Sequence, residues 1–245
     1  MSGNIGIIFA GGIGKRMGEK QIPKQFIMVD EKPIIAHTLD YFERHPDIDD
    51  IYIACLSSWM KRMNEILRNF GFSKVRKVIE GGVTAQHSIY NALACARNER
   101  DGDSIVLIHD GVRPFITSWL IDDLIESVKA NGNGITCTPC QETIIESSDG
   151  LSVDHVPLRK DTWAAQAPQA FRLDDIMGAH DQIRNINPDY TNMVDACTIY
   201  KKLGREVFLV HGNSGNIKIT NPEDVYILEG LMQYRKAIEI MGVSI

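Results

Sequence analysis

The sequence predicts an α/β fold, a doubly wound and mostly parallel sheet with a protruding β-arm. Three features predict it: short runs that are apolar at every position, amphipathic stripes between them, and one interval where the alternation fails. Residues 5–10 open the series as Ile-Gly-Ile-Ile-Phe-Ala, followed by Gly11 and Gly12. Residues 51–56, 75–79, 105–108 and 135–138 are similar short runs rich in Ile and Val. A strand covered on both faces needs apolar side chains on both, so unbroken runs mark buried parallel strands. Between them Ile89, Leu93 and Ala96 recur at helical spacing, and Leu120, Ile121, Leu124, Ile125 and Val128 form a second stripe. Such alternation implies right-handed βαβ crossovers with helices on both faces of the sheet. After Cys140 the pattern breaks: residues 141–162 set Ser147-Ser148-Asp149-Gly150 between short Ile/Val pieces. That predicts a hairpin arm, about 140–163, turning near Asp149-Gly150. An arm leaving a sheet has an apolar face it cannot bury alone, so a homodimer through the arm is expected. Helices are expected near 173–183 and 193–203, with a strand at 207–210. A last helix should start at Asn221-Pro222-Glu223-Asp224, where Asn caps, Pro takes the first helical position and an acid stands three residues after the cap. The chain, 1–245, reads as a single domain with this excursion.

Hydrophobic residues make up 44% and charged residues 24%, which excludes wholesale disorder. Lysine and arginine number 26 against 32 acids, a formal net charge of −6, which argues against a nucleic-acid partner. An anionic ligand must therefore meet a local cluster of cations. No apolar run approaches the roughly 18–20 residues of a membrane span, so no membrane partner is expected. Met1-Ser2-Gly3-Asn4 lacks the basic flank and apolar core of an export signal. Five cysteines, an odd number, then read as reduced thiols in a cytoplasmic protein.

Four segments carry residue types suited to phosphate and nucleotide chemistry. The first, Ala10-Gly11-Gly12-Ile13-Gly14-Lys15-Arg16, directly follows a strand. Glycines let backbone N–H groups approach phosphate oxygens, and a following helix start adds positive potential. A Walker A loop needs Ser or Thr after Gly-Lys, and Arg16 stands there. A dinucleotide fingerprint needs a third glycine where Met17 stands. Lys15, Arg16 and the nearby Lys24 favour a triphosphate; the alternative is solvated surface charge. The second segment, His109-Asp110-Gly111-Val112-Arg113-Pro114, places an acid just past a buried strand. Asp110 there can hold a divalent cation such as Mg²⁺, and the Arg113 fork suits phosphate. The alternative is a helix cap beside a surface arginine, with His109 supporting the loop. The third, Gly81-Gly82 with Ser88, can read a base edge or be only a turn and cap. In the fourth, Lys218 between two isoleucines is a ligand contact or an edge-strand guard, and Arg159 on the arm is similarly open. Cys137-Thr138-Pro139-Cys140 has metal or redox spacing but no second Cys/His pair, so it reads as structural.

Taken together and in order, these segments resemble the cytidylyltransferases that make CDP-alditols. Pro23-Lys24-Gln25-Phe26, Lys32-Pro33-Ile34, Gln166-Ala167-Pro168-Gln169, Asp195-Ala196-Cys197 and Asn216-Ile217-Lys218-Ile219-Thr220 complete the likeness, which covers nearly the whole chain. The resemblance implies a Rossmann-like sheet of the nucleotide-diphospho-sugar transferase type. It implies that a sugar-alcohol phosphate attacks the α-phosphorus of CTP and pyrophosphate leaves, with Mg²⁺ as cofactor. Arg16, Lys24 and Lys218 would stabilise the transition state. Ala10, Gly11, Gly12, Gly14 and Lys15 would hold the triphosphate, and Gly81, Gly82 and Ser88 the cytosine. Asp110 would serve metal and acceptor, with Arg113, and Thr143 and Arg159 from a partner's arm, on the acceptor.

The chain departs from the family pattern at Val83 and Ala85, where an acid and an arginine are common. It also carries Ala167 in place of a threonine, and Thr143-Ile144-Ile145 in place of Thr-x-Lys. Asp195-Ala196-Cys197, Trp59-Met60 and Val112 are similar to the ribitol-phosphate branch. The expected acceptor is therefore D-ribitol 5-phosphate, giving CDP-ribitol, with 2-C-methyl-D-erythritol 4-phosphate as the alternative. A more distant alternative is an NAD(P)-dependent oxidoreductase with Asp30 or Glu31 on a ribose.

Overall fold

The computed structural model describes residues 2–11 and 22–241. Gly12, Gly14, Lys15 and Arg16 therefore lie outside the described residues. Nine strands and seven α-helices follow one another in the described chain. Strand β1 (Asn4–Ala10) leads to a short 3₁₀ turn at Lys24–Phe26, then the small hairpin β2 (Met28–Val29) and β3 (Lys32–Pro33). Next come α1 (Ile34–Arg44), β4 (Asp50–Cys55), α2 (Met60–Phe70), β5 (Val75–Glu80) and α3 (Ala85–Arg97). They are followed by β6 (Ile105–Asp110), α4 (Ser118–Asn131), β7 (Asn133–Pro139), β8 (Trp163–Arg172) and α5 (Leu173–Ile186). The chain closes with α6 (Ala196–Lys202), β9 (Leu209–His211) and α7 (Glu223–Ile240).

Seven strands form the main sheet in the order β5-β4-β1-β6-β8-β7-β9. β1 pairs in parallel with both β4 and β6, and β8 runs antiparallel to its two neighbours. Alternate residues of β1 feed opposite layers. Ile8 and Ala10 pack with α1, α2 and α4, while Ile5 and Ile7 pack with α3, α5 and α6. The five strands read from apolar runs are present, and both faces are covered. Chain order reverses between β1 and β6: the chain winds outward through β4 and β5, then returns to the other side of β1. A crevice opens at the carboxyl ends of the strands at such a reversal, the usual ligand position in an open α/β sheet.

The antiparallel strand β8 corrects the sequence reading, which passed from the arm straight to the helix at 173–183. Its Trp-Ala-Ala-Gln-Ala-Pro-Gln-Ala-Phe-Arg run has little β-branched character and contains a proline, so local propensity argues against a strand. Pairing with β6 and β7 overrides that propensity. The arm differs as well. The turn stands where expected, with Gly150 at φ 71° and the Asp149 carboxylate accepting from the Leu151 and Ser152 backbone N–H groups. Beyond it a single antiparallel bridge, Glu146 to His155, takes the place of a hairpin ladder. At the last helix, Asp224 accepts from the N–H groups of Thr220 and Asn221, a cap reaching back from the first turn.

Candidate active site

The crevice begins with what β1 and β6 deliver at their ends. Gly111, just past β6, donates its N–H to Phe9 O at 3.0 Å, which seats the loop against β1. A Cβ on Gly111 would stand 2.8 Å from Ile35 Cδ1 and 3.2 Å from Ala10 Cβ, so a side chain there would have to displace Ile35 and crowd the end of β1. His109 packs at a tilt against Phe42 with ring centroids 5.4 Å apart, and its Nε2 stands 3.0 Å from Arg113 O. It supports the loop, as the sequence suggests. Burial pushes the imidazole down to about 4, so it is neutral at ordinary pH.

Asp110 is 6% exposed, and both its oxygens are engaged. Lys218 Nζ lies 2.6 Å from Oδ1, and Arg113 Nε donates to Oδ2 at 3.0 Å. Burial favours the neutral acid, but the adjacent Lys218 and Arg113 charges outweigh it and hold the carboxyl below its ordinary range. Arg113 also donates from Nη1 to Asn216 O at 2.7 Å. Buried Asn216 in turn donates to Ala167 O at 2.7 Å, tying the loop before α7 to β8. Lys24 comes from the opposite side, its Nζ donating to Thr220 O at 3.1 Å across 196 residues. Its neighbour Gln25 is buried and donates to Ala10 O at 2.8 Å, fixing the end of β1.

A cleft of about 600 Å³ runs from Ala10, Gly11 and Lys24 past Gly81 and Gly82 to Asp110 and Lys218. A smaller cavity of about 170 Å³ lies beside it, lined by Gln86, Arg113, Gln166, Gln169 and Asp195. Asp110, Lys218 and Phe9 border both cavities. The Asp110–Lys218 pair is thus a shared wall, with nucleotide-loop residues on one side and Arg113 on the other.

Ser88 sits behind the Gly81-Gly82 turn. Its Oγ accepts from Gly82 N–H at 3.0 Å and donates to Thr84 O at 3.0 Å. Gly81 N–H donates to Cys55 O at 2.7 Å. The hydroxyl and the Gly82 N–H are engaged within the loop and the Gly81 N–H on the end of β4, so Ser88 shapes the turn. A Cβ on Gly82 would stand 2.3 Å from His87 Cβ, which excludes any side chain at that position.

Several expected residues lie elsewhere. Thr143 is exposed, Arg159 donates to Gln141 O at the base of the arm, and neither lines these cavities of its own chain. Asp30 pairs with Lys236 of α7, and neither it nor Glu31 lines the cleft, which removes the support for a ribose-binding acid. Cys137 is a buried free thiol pushed up to about 11 by burial, so the Cys137/Cys140 spacing is structural. Residues 86, 166, 169 and 195 were not assigned to the site from sequence, because uncharged amides and a helix cap carry no local signal. Asp195 does cap α6, its Oδ1 accepting from Thr198 N–H at 2.8 Å. Among the described residues no helix is long and apolar enough to cross a membrane.

The family model described as 2-C-methyl-D-erythritol 4-phosphate cytidylyltransferase matches residues 5–234. The chain is 40% identical over 240 residues to the ribitol-5-phosphate cytidylyltransferase of Streptococcus agalactiae serotype V, covering 98% of this chain and 99% of that one. It is 37% identical over 231 residues to the 2-C-methyl-D-erythritol 4-phosphate cytidylyltransferase of Alkaliphilus oremlandii, covering 94% and 95%. Among solved structures, 4-diphosphocytidyl-2C-methyl-D-erythritol synthase from Anaerococcus prevotii superposes with a TM-score of 0.79 at 28% identity, covering 95% and 96%. The chain belongs to this cytidylyltransferase family and is an enzyme that transfers CMP.

Proposed function

We propose that the protein joins CMP from CTP to D-ribitol 5-phosphate, giving CDP-ribitol and pyrophosphate. The observation that carries the reading is the Asp110–Lys218 wall, which puts a cation between a glycine-lined cleft and a second cavity bearing Arg113. In this reading the triphosphate lies along Ala10, Gly11 and Lys24, with Arg16, outside the described residues, as a further cation. The carbonyl oxygens of the Gly81-Gly82 turn are acceptors of the kind that cytosine's amino group requires. The acceptor phosphate lies beside Arg113 and Lys218. One of its oxygens attacks the α-phosphorus in line, the bond to the β-phosphate breaks, and its electron pair leaves with pyrophosphate.

An ionised phosphate is already nucleophilic at neutral pH, so the reaction needs no general base. The protein's work is placement and charge stabilisation, by Lys24 and Lys218 at the reacting phosphates. Asp110 keeps Lys218 in place without a proton to give. Asp110 is the one carboxylate among the described residues lining the cleft, and a single carboxylate with substrate phosphates is a donor set that Mg²⁺ accepts. Asp110 would hold that ion in place of its Lys218 contact, and the ion would supply neutralisation of the triphosphate. Thr143 and Arg159 would reach the acceptor from the second copy of a homodimer. The choice of ribitol rests on the relative at 40% identity and on the ribitol-like residues at 59, 60, 112 and 195–197.

Pyrophosphate release from CTP, measured with each polyol phosphate, tests the proposal. Turnover with ribitol 5-phosphate that EDTA abolishes and magnesium restores is expected. Turnover with methylerythritol phosphate alone overturns the acceptor assignment.

A further inference from the structure

Among the described residues, one polar side chain on the smaller cavity has neither end hydrogen-bonded. Gln166 is engaged at both ends, donating to Asn213 O at 3.3 Å and accepting from Asn216 at 3.2 Å. Gln169 donates to Asp195 at 3.0 Å and accepts from Cys197 N–H at 3.1 Å. Gln86 differs. It is 3% exposed, and neither Nε2 nor Oε1 has a hydrogen-bond partner among the described residues. Nor is it loosely held. It is the second residue of α3, whose start is fixed by Thr84 Oγ1 accepting from His87 N–H at 3.2 Å. The rest of the lining mixes apolar residues, Phe9, Ile89, Ile108 and Ala167 among them, with polar side chains that have partners, such as Asp110, Arg113 and Gln169.

A buried carboxamide with both ends unpaired, on the wall of a cavity, suits a ligand that both donates and accepts. A phosphate dianion only accepts, so it leaves Oε1 unmatched, and a cation only donates. Neighbouring hydroxyls of a polyol satisfy both ends together. Resting on the functional reading above, we propose that Gln86 is the specificity residue for the acceptor's polyol chain, its carboxamide bonding two hydroxyls. Arg113 and Lys218, on the same cavity, take the phosphate. This division orients the acceptor: phosphate toward the shared wall with the nucleotide cleft, carbon chain toward α3.

The test is Gln86→Met, which keeps the volume and removes both polar atoms. KM for the acceptor should rise roughly 10- to 100-fold, KM for CTP should stay within about twofold, and the melting temperature should hold or rise. Acceptor analogues each lacking one hydroxyl supply the second measurement. At least one should be as poor for the parent enzyme as the normal acceptor is for the variant, and should lose little further with the variant. An unchanged acceptor KM overturns the assignment, as does a rise in both KM values together with a lower melting temperature, which marks a structural residue. If the parent enzyme accepts no polyol phosphate, the functional reading itself fails and this assignment falls with it. If it accepts methylerythritol phosphate alone, the same comparison on that acceptor decides the role of Gln86 separately.

Discussion

Single residues at the site are arranged by charge more than by reactivity. Asp110 illustrates this: its burial alone would favour the neutral acid, yet two cations within hydrogen-bond reach keep it ionised. An ionised Asp110 in turn holds Lys218 at the boundary of the two cavities and Arg113 on the smaller one. Lys24→Ala and Lys218→Ala should each lower turnover by roughly 10²-fold or more, the scale at which a lost charge contact to a transition state is felt. Circular dichroism should stay close to that of the parent; the melting temperature should hold for Lys24→Ala and fall for Lys218→Ala, which leaves buried Asp110 with one cation fewer. Rates within a few fold of the parent would remove these lysines from the chemistry. Lys24, Lys218, Asp110 and Arg113 were legible in the sequence because cations and an acid beside glycine loops are unusual. Gln86, Gln166 and Gln169 were not, since an amide acquires meaning only from what its two ends meet.

At the level of elements, unbroken Ile/Val runs located the central strands, and the Asn-Pro-Glu-Asp signal located the start of α7 within two residues. β8 escaped notice because its alanines and proline have no strand preference of their own. Its place is set by the edges of β6 and β7, whose backbone groups need partners. The arm is the opposite case: Ile145, Leu151, Val153 and Leu158 stay more than half exposed on it. Apolar surface left in this way is the motive for pairing with a second copy. Light scattering should therefore find a dimer for the parent chain and a monomer after these four residues are replaced by serine. The monomer should bind CTP normally and show an acceptor KM raised by roughly tenfold or more, through loss of the partner's arm. A monomeric parent chain would overturn the arm's role.

For the whole molecule, two buried histidines tie stability to pH. Burial pushes His109 down to about 4 and, with the nearby Arg184 charge, His180 down to about 3. In the unfolded chain each titrates near 6.5, so between about pH 6.5 and 4 the unfolded state binds more protons and stability falls on acidification. Carboxylates held low, Asp110 among them, add their loss from about pH 5 downward, a small share at pH 4.5. Urea unfolding should show a stability lower by roughly 5 kcal/mol at pH 4.5 than at pH 7 for the two histidines together. The ring-proton resonances of both should remain untitrated at pH 5; midpoints near 6.5 would contradict their burial as neutral groups. The sequence by itself determined the α/β class, the central strands and the kinds of side chain available for phosphate chemistry, because hydrophobic period and glycine turns act over a few residues. Only the tertiary structure decided that Lys24 meets Thr220, that Asp110 divides two cavities, and that Gln86 has no partner among the described residues. Those outcomes depend on which strand edges pair and which loops then share the rim at the β1/β6 reversal, and packing over distances of 100 to 200 residues has no local signature in the chain.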